Sequence, residues 1–185
     1  TKNEAGNHEV KLTIWGPAHA FTELTVFNQT SGIGDVYQNA DELKVGLINA
    51  YKEFLEDYAQ AGGTIIQLDD CLWELFSEDN EQGFVAAGVE NVEQLADDFI
   101  AINNEIADYA HELGLKAWTH NCRGNYESRH MAGGSYESIA EKFLKDQHYD
   151  RFFLEWDDER AGDLEALKVL QDKSDVEVVL GLLSS

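Results

Sequence analysis

Five short apolar runs alternate with longer segments whose apolar residues recur every three or four positions, and this alternation leaves few folds open. The runs occupy residues 10–15, 64–68, 115–119, 151–154 and 176–183. Between them, Leu47, Ile48, Tyr51, Phe54, Leu55 and Tyr58 mark one helix, closed by Gly62 and Gly63. Val92, Leu95, Ala96, Phe99, Ile100, Ile106 and Ala110 mark a second, closing at Gly114. A third helix has Tyr136, Ile139, Ala140, Phe143 and Leu144 on one face, and a shorter fourth covers roughly 163–170. Pro17, the only proline, punctuates the exit of the first strand into a loop, with a polar segment over 27–41. An acidic loop spans 71–91. Strands that are apolar throughout, separated by amphipathic helices, predict a parallel sheet covered by helices and joined by right-handed crossovers.

Polar and ionisable residues gather where the three middle strands end. The groups are Asp69-Asp70, His120-x-Cys122-Arg123 and Glu155-x-Asp157-Asp158. A (β/α) barrel of the TIM type keeps its chemistry at that rim. The expected fold is therefore α/β, a partial parallel (β/α) barrel of about five strands and four helices. It forms a single domain over residues 1–185. No Gly-x-Gly-x-x-Gly follows the first strand, which removes support for a dinucleotide fold.

His120 and Cys122 are two apart at the end of an apolar run. Residues at that spacing on a strand share a face, so an imidazole and a thiol leave it side by side. This is a good start to a Zn²⁺ site, which takes nitrogen and thiolate donors in a tetrahedron. Glu155 ends the next run and is the candidate third ligand. The plainer alternatives are a core histidine beside a buried thiol, and a Glu155 paired with Arg123 or Arg160. Cys71, two beyond Asp69, is a rival sulfur donor or simply a small buried thiol. Asp69 is a candidate substrate contact or a loop carboxylate; Asp70 is evenly balanced between a site role and a structural one. His130 and His148 are expected at the surface. Trp73, Trp118 and Trp156 either wall a pocket or fill the core.

Charge narrows the partners. Thirteen basic against 36 acidic residues leave a net charge of −23. Such a polyanion repels phosphate backbones and anionic lipid, so neither nucleic acid nor a membrane surface is expected as partner. No apolar run approaches the roughly 20 residues of a membrane-spanning helix. No secretory signal opens the chain. Its two cysteines make no disulfide framework, so the cytoplasm is the expected compartment.

The motifs also resemble a known family. Lys11-Leu12-Thr13-Ile14-Trp15-Gly16-Pro17 resembles the strand-then-Gly-Pro segment of the cobalamin-independent methionine synthases. Ile65-Ile66-Gln67-Leu68-Asp69-Asp70 is similar to their Ile-Ile-Gln-Ile-Asp-Glu segment, and Thr119-His120-Asn121-Cys122 to their His-x-Cys zinc motif. Phe153-Leu154-Glu155 looks like the strand carrying their zinc-binding glutamate. The short, single-barrel members are closer still, through residues 120–125, 155–163 and 178–182. The resemblance implies a methyltransferase in which Zn²⁺ binds homocysteine as a thiolate. That thiolate would attack a methyl donor (a folate, a methylated corrinoid protein or a sulfonium compound) and form methionine. Carried over, His120, Cys122 and Glu155 are the metal ligands, and Asp69 matches the aspartate that holds the substrate amino group.

The chain departs from the family pattern in several places. Asp70 stands for the usual glutamate, and Cys71 stands where a proline often follows. The aromatic contacts to the methyl donor are not recognisable over 18–24. The family's fourth ligand, a later cysteine in Pro-x-Cys-Gly, would lie beyond Ser185, and its first strands before Thr1. The chain is thus expected to be the middle to late part of a barrel, inactive alone. Two rivals stand beside this reading. One is a metal-independent, glycosidase-like barrel using a pair among Asp69, Asp70 and Glu155. The other is an inactive barrel piece whose exposed sheet edges self-associate.

Overall fold

The computed structural model describes residues 5–27, 36–77, 80–122 and 133–183. Its sheet has five strands: β1 (Lys11–Trp15), β2 (Ile65–Asp69), β3 (Lys116–Asn121), β4 (Arg151–Glu155) and β5 (Glu177–Gly181). They lie side by side in chain order, every neighbouring pair parallel. An order that never reverses means each crossover steps the same way. With right-handed crossovers, all connections then fall on one face, which is the winding of a barrel arc rather than of a doubly wound sheet.

The helices are α1 (Pro17–Thr22), α2 (Ala40–Gln60), α3 (Gln82–Ala86) and α4 (Val92–Glu112). The two long helices start on asparagine caps. Asn39 accepts from the Glu42 amide, and Asn91 from the Gln94 amide. Just past their ends the chain turns at Gly62 and Gly114, at φ values of 83° and 76° that favour glycine. Helices α1, α2 and α4 pack against one another over the sheet. No described helix is long and apolar enough to cross a membrane.

Strand alternation sorts the side chains into two layers. Ile66, Leu68, Ala117, Phe152 and Leu154 are buried in the core with Leu55, Phe99, Ile106 and Phe143 of the helical layer. Burying such side chains contributes roughly 1.5–3 kcal/mol each. The opposite face carries Lys11, Gln67, Trp118, Arg151 and Phe153. Lys11 bonds to Gln67 and sits over both aromatic rings, and Arg151 lies on Trp118. This second face would line the inside of a closed barrel.

The expected strands and the two long helices are present. Elsewhere the local structure differs. Pro17 occupies the first turn of α1 instead of leading into a loop; that position needs no N–H, and proline's fixed φ suits it. The third expected helix is a 3₁₀ turn (Tyr136–Ser138) and a π turn (Glu141–Lys145). The expected apolar face is present: Tyr136, Ile139, Ala140, Phe143 and Leu144 are all buried. Burial follows side-chain spacing, whereas the hydrogen-bond pattern tightens and then widens to deliver it. The fourth helix is 3₁₀ over Leu164–Leu170. The acidic loop contains α3 and a 3₁₀ turn (Trp73–Phe76), both too short to leave a periodic signal. Most of the polar segment over 27–41 lies outside the described residues.

Candidate functional site

The site is assembled at the carboxyl ends of β2, β3 and β4, and strand register dictates its layout. Trp15, Asp69, His120 and Phe153 form one row across four strands, since Trp15 pairs with Asp69, Asp69 with His120, and His120 with Phe153. Two residues further along, on the same face, Cys71, Cys122 and Glu155 follow the chain out of β2, β3 and β4. The row is extended on one side by the bond from the Asp70 amide to the His120 carbonyl.

Within this layout Cys71, His120 and Cys122 converge. Their donor atoms all lie within 4.8 Å of one another. The two sulfurs are 3.0 Å apart, in hydrogen-bond contact, and all three residues are half-buried. The Phe153 carbonyl lies 3.0 Å from His120 Nδ1. A carbonyl only accepts, so Nδ1 carries the proton and the Nε2 lone pair is left for the site. Burial alone would make His120 harder to protonate; contact with Cys122, the Asp69 charge and the Phe153 carbonyl outweigh it and raise its pKa. The bond with Cys122, together with burial, pushes the Cys71 thiol far up.

Glu155 is buried at the end of β4. It stands outside the group whose donor atoms meet. Arg160, one of its candidate partners, contacts Asp158 at 2.6 Å and Asp157 at 3.9 Å. Arg123 and His130 lie outside the described residues. Asp69 accepts from Gln67 Nε2 at 2.6 Å and faces the same side as His120. Asp70 points to the opposite, helical side. It is fully buried and accepts from Asn103 Nδ2 at 2.7 Å, which separates it from the carboxylates of Asp69 and Glu155. His148 pairs with Asp108 at the surface. Trp73 is core, packed on Phe76, Phe99 and Phe143, while Trp156 stacks on Tyr136.

A second layer holds these strand ends in place. Asn103 on α4 donates to Asp70 and to Gln147 and accepts from the Ala18 amide, tying α1, the β2 exit and the Gln147 segment together. Asn121, on the helical side of β3 between His120 and Cys122, donates to buried Glu74 at 3.0 Å. Gly16 permits a close approach of the β1 exit to the end of β2. A β-carbon there would lie 3.0 Å from the Asp69 carbonyl oxygen and 3.3 Å from Asp70 Cβ.

His19 on α1 went unnoticed in the sequence. It stacks on Trp15, its Nδ1 lies 3.4 Å from the Cys71 amide, and its Nε2 faces Glu23. Burial lowers its pKa, against the opposing charges of Glu23, Cys122 and Asp69. The signal that could have found it is its place two residues after Gly16-Pro17, if that stretch is read as a helix start over the rim.

The donor set suits zinc. Tetrahedral coordination with Zn–S near 2.3 Å and Zn–N near 2.05 Å puts two sulfurs about 3.7 Å apart and a sulfur about 3.6 Å from a nitrogen. The sulfurs, 3.0 Å apart, need only open a little to reach that spacing, and a His120 ring nitrogen lies within 4.8 Å of both. Two thiolates and an imidazole are also the soft donors that favour zinc over magnesium or calcium.

No family model matches the chain. Over 182 residues it is 36% identical to the uncharacterized protein YxjH of Bacillus subtilis (strain 168), and over 183 residues 33% identical to YxjG of the same strain. Each match takes in 98% of this chain and 46% of the relative, so the chain spans about half the length of the curated relatives it matches. Among solved structures it resembles a Listeria monocytogenes crystal structure provisionally described as a vitamin-B12-independent methionine synthase. All of this chain superposes on 49% of that one, with a TM-score of 0.64 and 24% sequence identity. That likeness establishes the α/β barrel-type fold.

Proposed function

We propose that the chain carries the metal-binding rim of a methyltransferase barrel that uses a thiol, homocysteine, as methyl acceptor and forms methionine. The observation that carries this reading is the convergence of Cys71, His120 and Cys122 at the rim. Further support comes from the barrel-type fold shared with the Listeria protein and from the motifs around His120, Cys122 and Glu155.

In this reading zinc is held by Cys122, His120 and Cys71, with Glu155 the further donor from β4. Bound there, it supplies a Lewis acid that lowers the pKa of a substrate thiol and leaves its sulfur nucleophilic near neutral pH. The protein's own residues do the rest. The Phe153 carbonyl fixes the His120 tautomer, so that Nε2 faces the site without rearrangement. The anionic cysteines offset the charge of a divalent ion. Asp69, oriented by Gln67, takes the substrate ammonium group and fixes where its sulfur lies. The methyl donor enters from the side of Trp15, which stands exposed at the β1 end of the same row.

The test is a titration of the zinc-loaded chain with homocysteine and, separately, with homoserine. Homocysteine is expected to bind with proton release that homoserine does not produce. If the two behave alike, or neither binds, the thiol-activating role is wrong.

A further inference from the structure

The contact between Cys71 and Cys122 supports more than metal binding. Each residue lies two positions beyond the paired Asp69 and His120 on neighbouring parallel strands, and neighbouring strands lie about 4.8 Å apart. That spacing is within the Cα separations a disulfide accepts, roughly 4.4–6.8 Å. The sulfurs at 3.0 Å stand between two bonded arrangements. They must close by about 1 Å to reach a disulfide at roughly 2.05 Å. They must open by somewhat less to share a zinc ion, at about 3.7 Å. Both residues are half-buried rather than sealed, so a small oxidant reaches them. Their strands are held in register up to the pair, by the Asp69–His120 pairing and by the bond from the Asp70 amide to the His120 carbonyl.

We infer that Cys71 and Cys122 form a peroxide-sensitive dithiol whose disulfide excludes the metal and switches the site off. Cys122, beside His120, is the attacking sulfur. As a thiolate it takes the distal oxygen of a hydroperoxide; the O–O bond breaks, the alkoxide leaves and is protonated to the alcohol, and Cys122 becomes a sulfenic acid. The Cys71 sulfur then attacks the Cys122 sulfur. The S–S bond forms, the S–O bond breaks, and the departing hydroxide takes the Cys71 proton as water. Two thiols lose two electrons in total, and one peroxide is reduced to alcohol and water (two waters for hydrogen peroxide). Disulfide sulfur is a poor zinc donor, so a bound ion keeps too few ligands and leaves. Bridge formation itself needs no metal; only its consequence rests on the zinc reading above.

The experiment treats the chelated chain with stoichiometric hydrogen peroxide, alkylates the remaining thiols and measures the mass. The expected result is loss of two hydrogens, no alkylation, a linked peptide pair containing Cys71 and Cys122, and full reversal by dithiothreitol. In Cys71→Ser the resolving thiol is gone, and a sulfenic acid trappable by dimedone is expected at Cys122. In the zinc-loaded chain, the same oxidation is expected to release the ion to a colorimetric chelator. Oxygen addition to the wild-type thiols without a bridge, or bridges only between molecules, would overturn the inference. A chain that bridges yet never takes zinc removes the zinc reading and leaves the dithiol standing. A chain that takes zinc yet does not bridge when chelated does the reverse.

Discussion

Cys71 and Cys122 face each other across the ends of β2 and β3 with their sulfurs 3.0 Å apart, and His120 on β3 completes a group within 4.8 Å. The two cysteines are therefore expected to act on the metal as a pair. Cys122→Ser is predicted to abolish zinc binding, and Cys71→Ser to weaken it at least about a hundredfold, a loss at or beyond the upper end of that seen for outer-shell partners. Competition against a chelating dye measures both. Unchanged affinity in Cys71→Ser would remove it from the ligand set.

Asp70 opposes folding at neutral pH. Burial pushes its carboxyl up to about 7, only partly offset by the Asn103 bond. Between its ordinary pKa of 3.8 and that value, the folded chain holds a proton that the unfolded chain has released. The benefit is full below pH 4 and lost as pH rises through 7, up to roughly 4 kcal/mol at 1.36 kcal/mol per unit. Other carboxylates titrate in the same window, so the difference from Asp70→Asn is the quantity to follow. Urea denaturation of the chelated chain is expected to show the variant gaining on the wild type from pH 4 to 8. A constant difference would contradict this.

Gly16 is needed for want of a β-carbon. Gly16→Ala presses a methyl to 3.0 Å from the Asp69 carbonyl oxygen, between two strand ends bound to each other at 2.6 Å. A loss of about 1–3 kcal/mol is expected, as for other overpacked sites. Because the strain falls on the residues before Cys71, zinc affinity is expected to drop with it. Chemical denaturation and metal titration of the variant check both.

The net charge of −23 predicts a stability that rises with salt. Exposed pairs such as Lys52–Glu105 and Lys116–Glu9 lose a little when screened, at most about 1 kcal/mol each. The general repulsion relieved at the same time is larger. Urea midpoints are expected to increase from low to molar potassium chloride, and a decrease would contradict the prediction.

Much of this was legible in the chain itself. The β-branched and apolar run before Asp69, and the equivalent runs before His120 and Glu155, gave three neighbouring parallel strands because each is too short and too apolar to be anything else between amphipathic helices. The i, i+2 spacing of His120 and Cys122 gave their common face. In the sequence Cys71 is only a rival donor, since nothing local says that β2 and β3 pair with Asp69 opposite His120; that register is what brings the two cysteines together. His19 was invisible for a similar reason. Its place beside Cys71 depends on α1 folding back over the rim, a tertiary fact held by Asn103 on a distant helix. The turns over 136–145 escaped because buried spacing is the same whichever hydrogen-bond pattern produces it.

X-ray absorption at the zinc edge of the metal-loaded chain tests the central claim most directly, because it counts the sulfur atoms bound to the ion. The account predicts two sulfurs near 2.3 Å with nitrogen or oxygen completing the shell, falling to one sulfur in Cys71→Ser. A shell of nitrogen and oxygen alone, or a wild-type spectrum retained when Cys122 is replaced by serine, would contradict it.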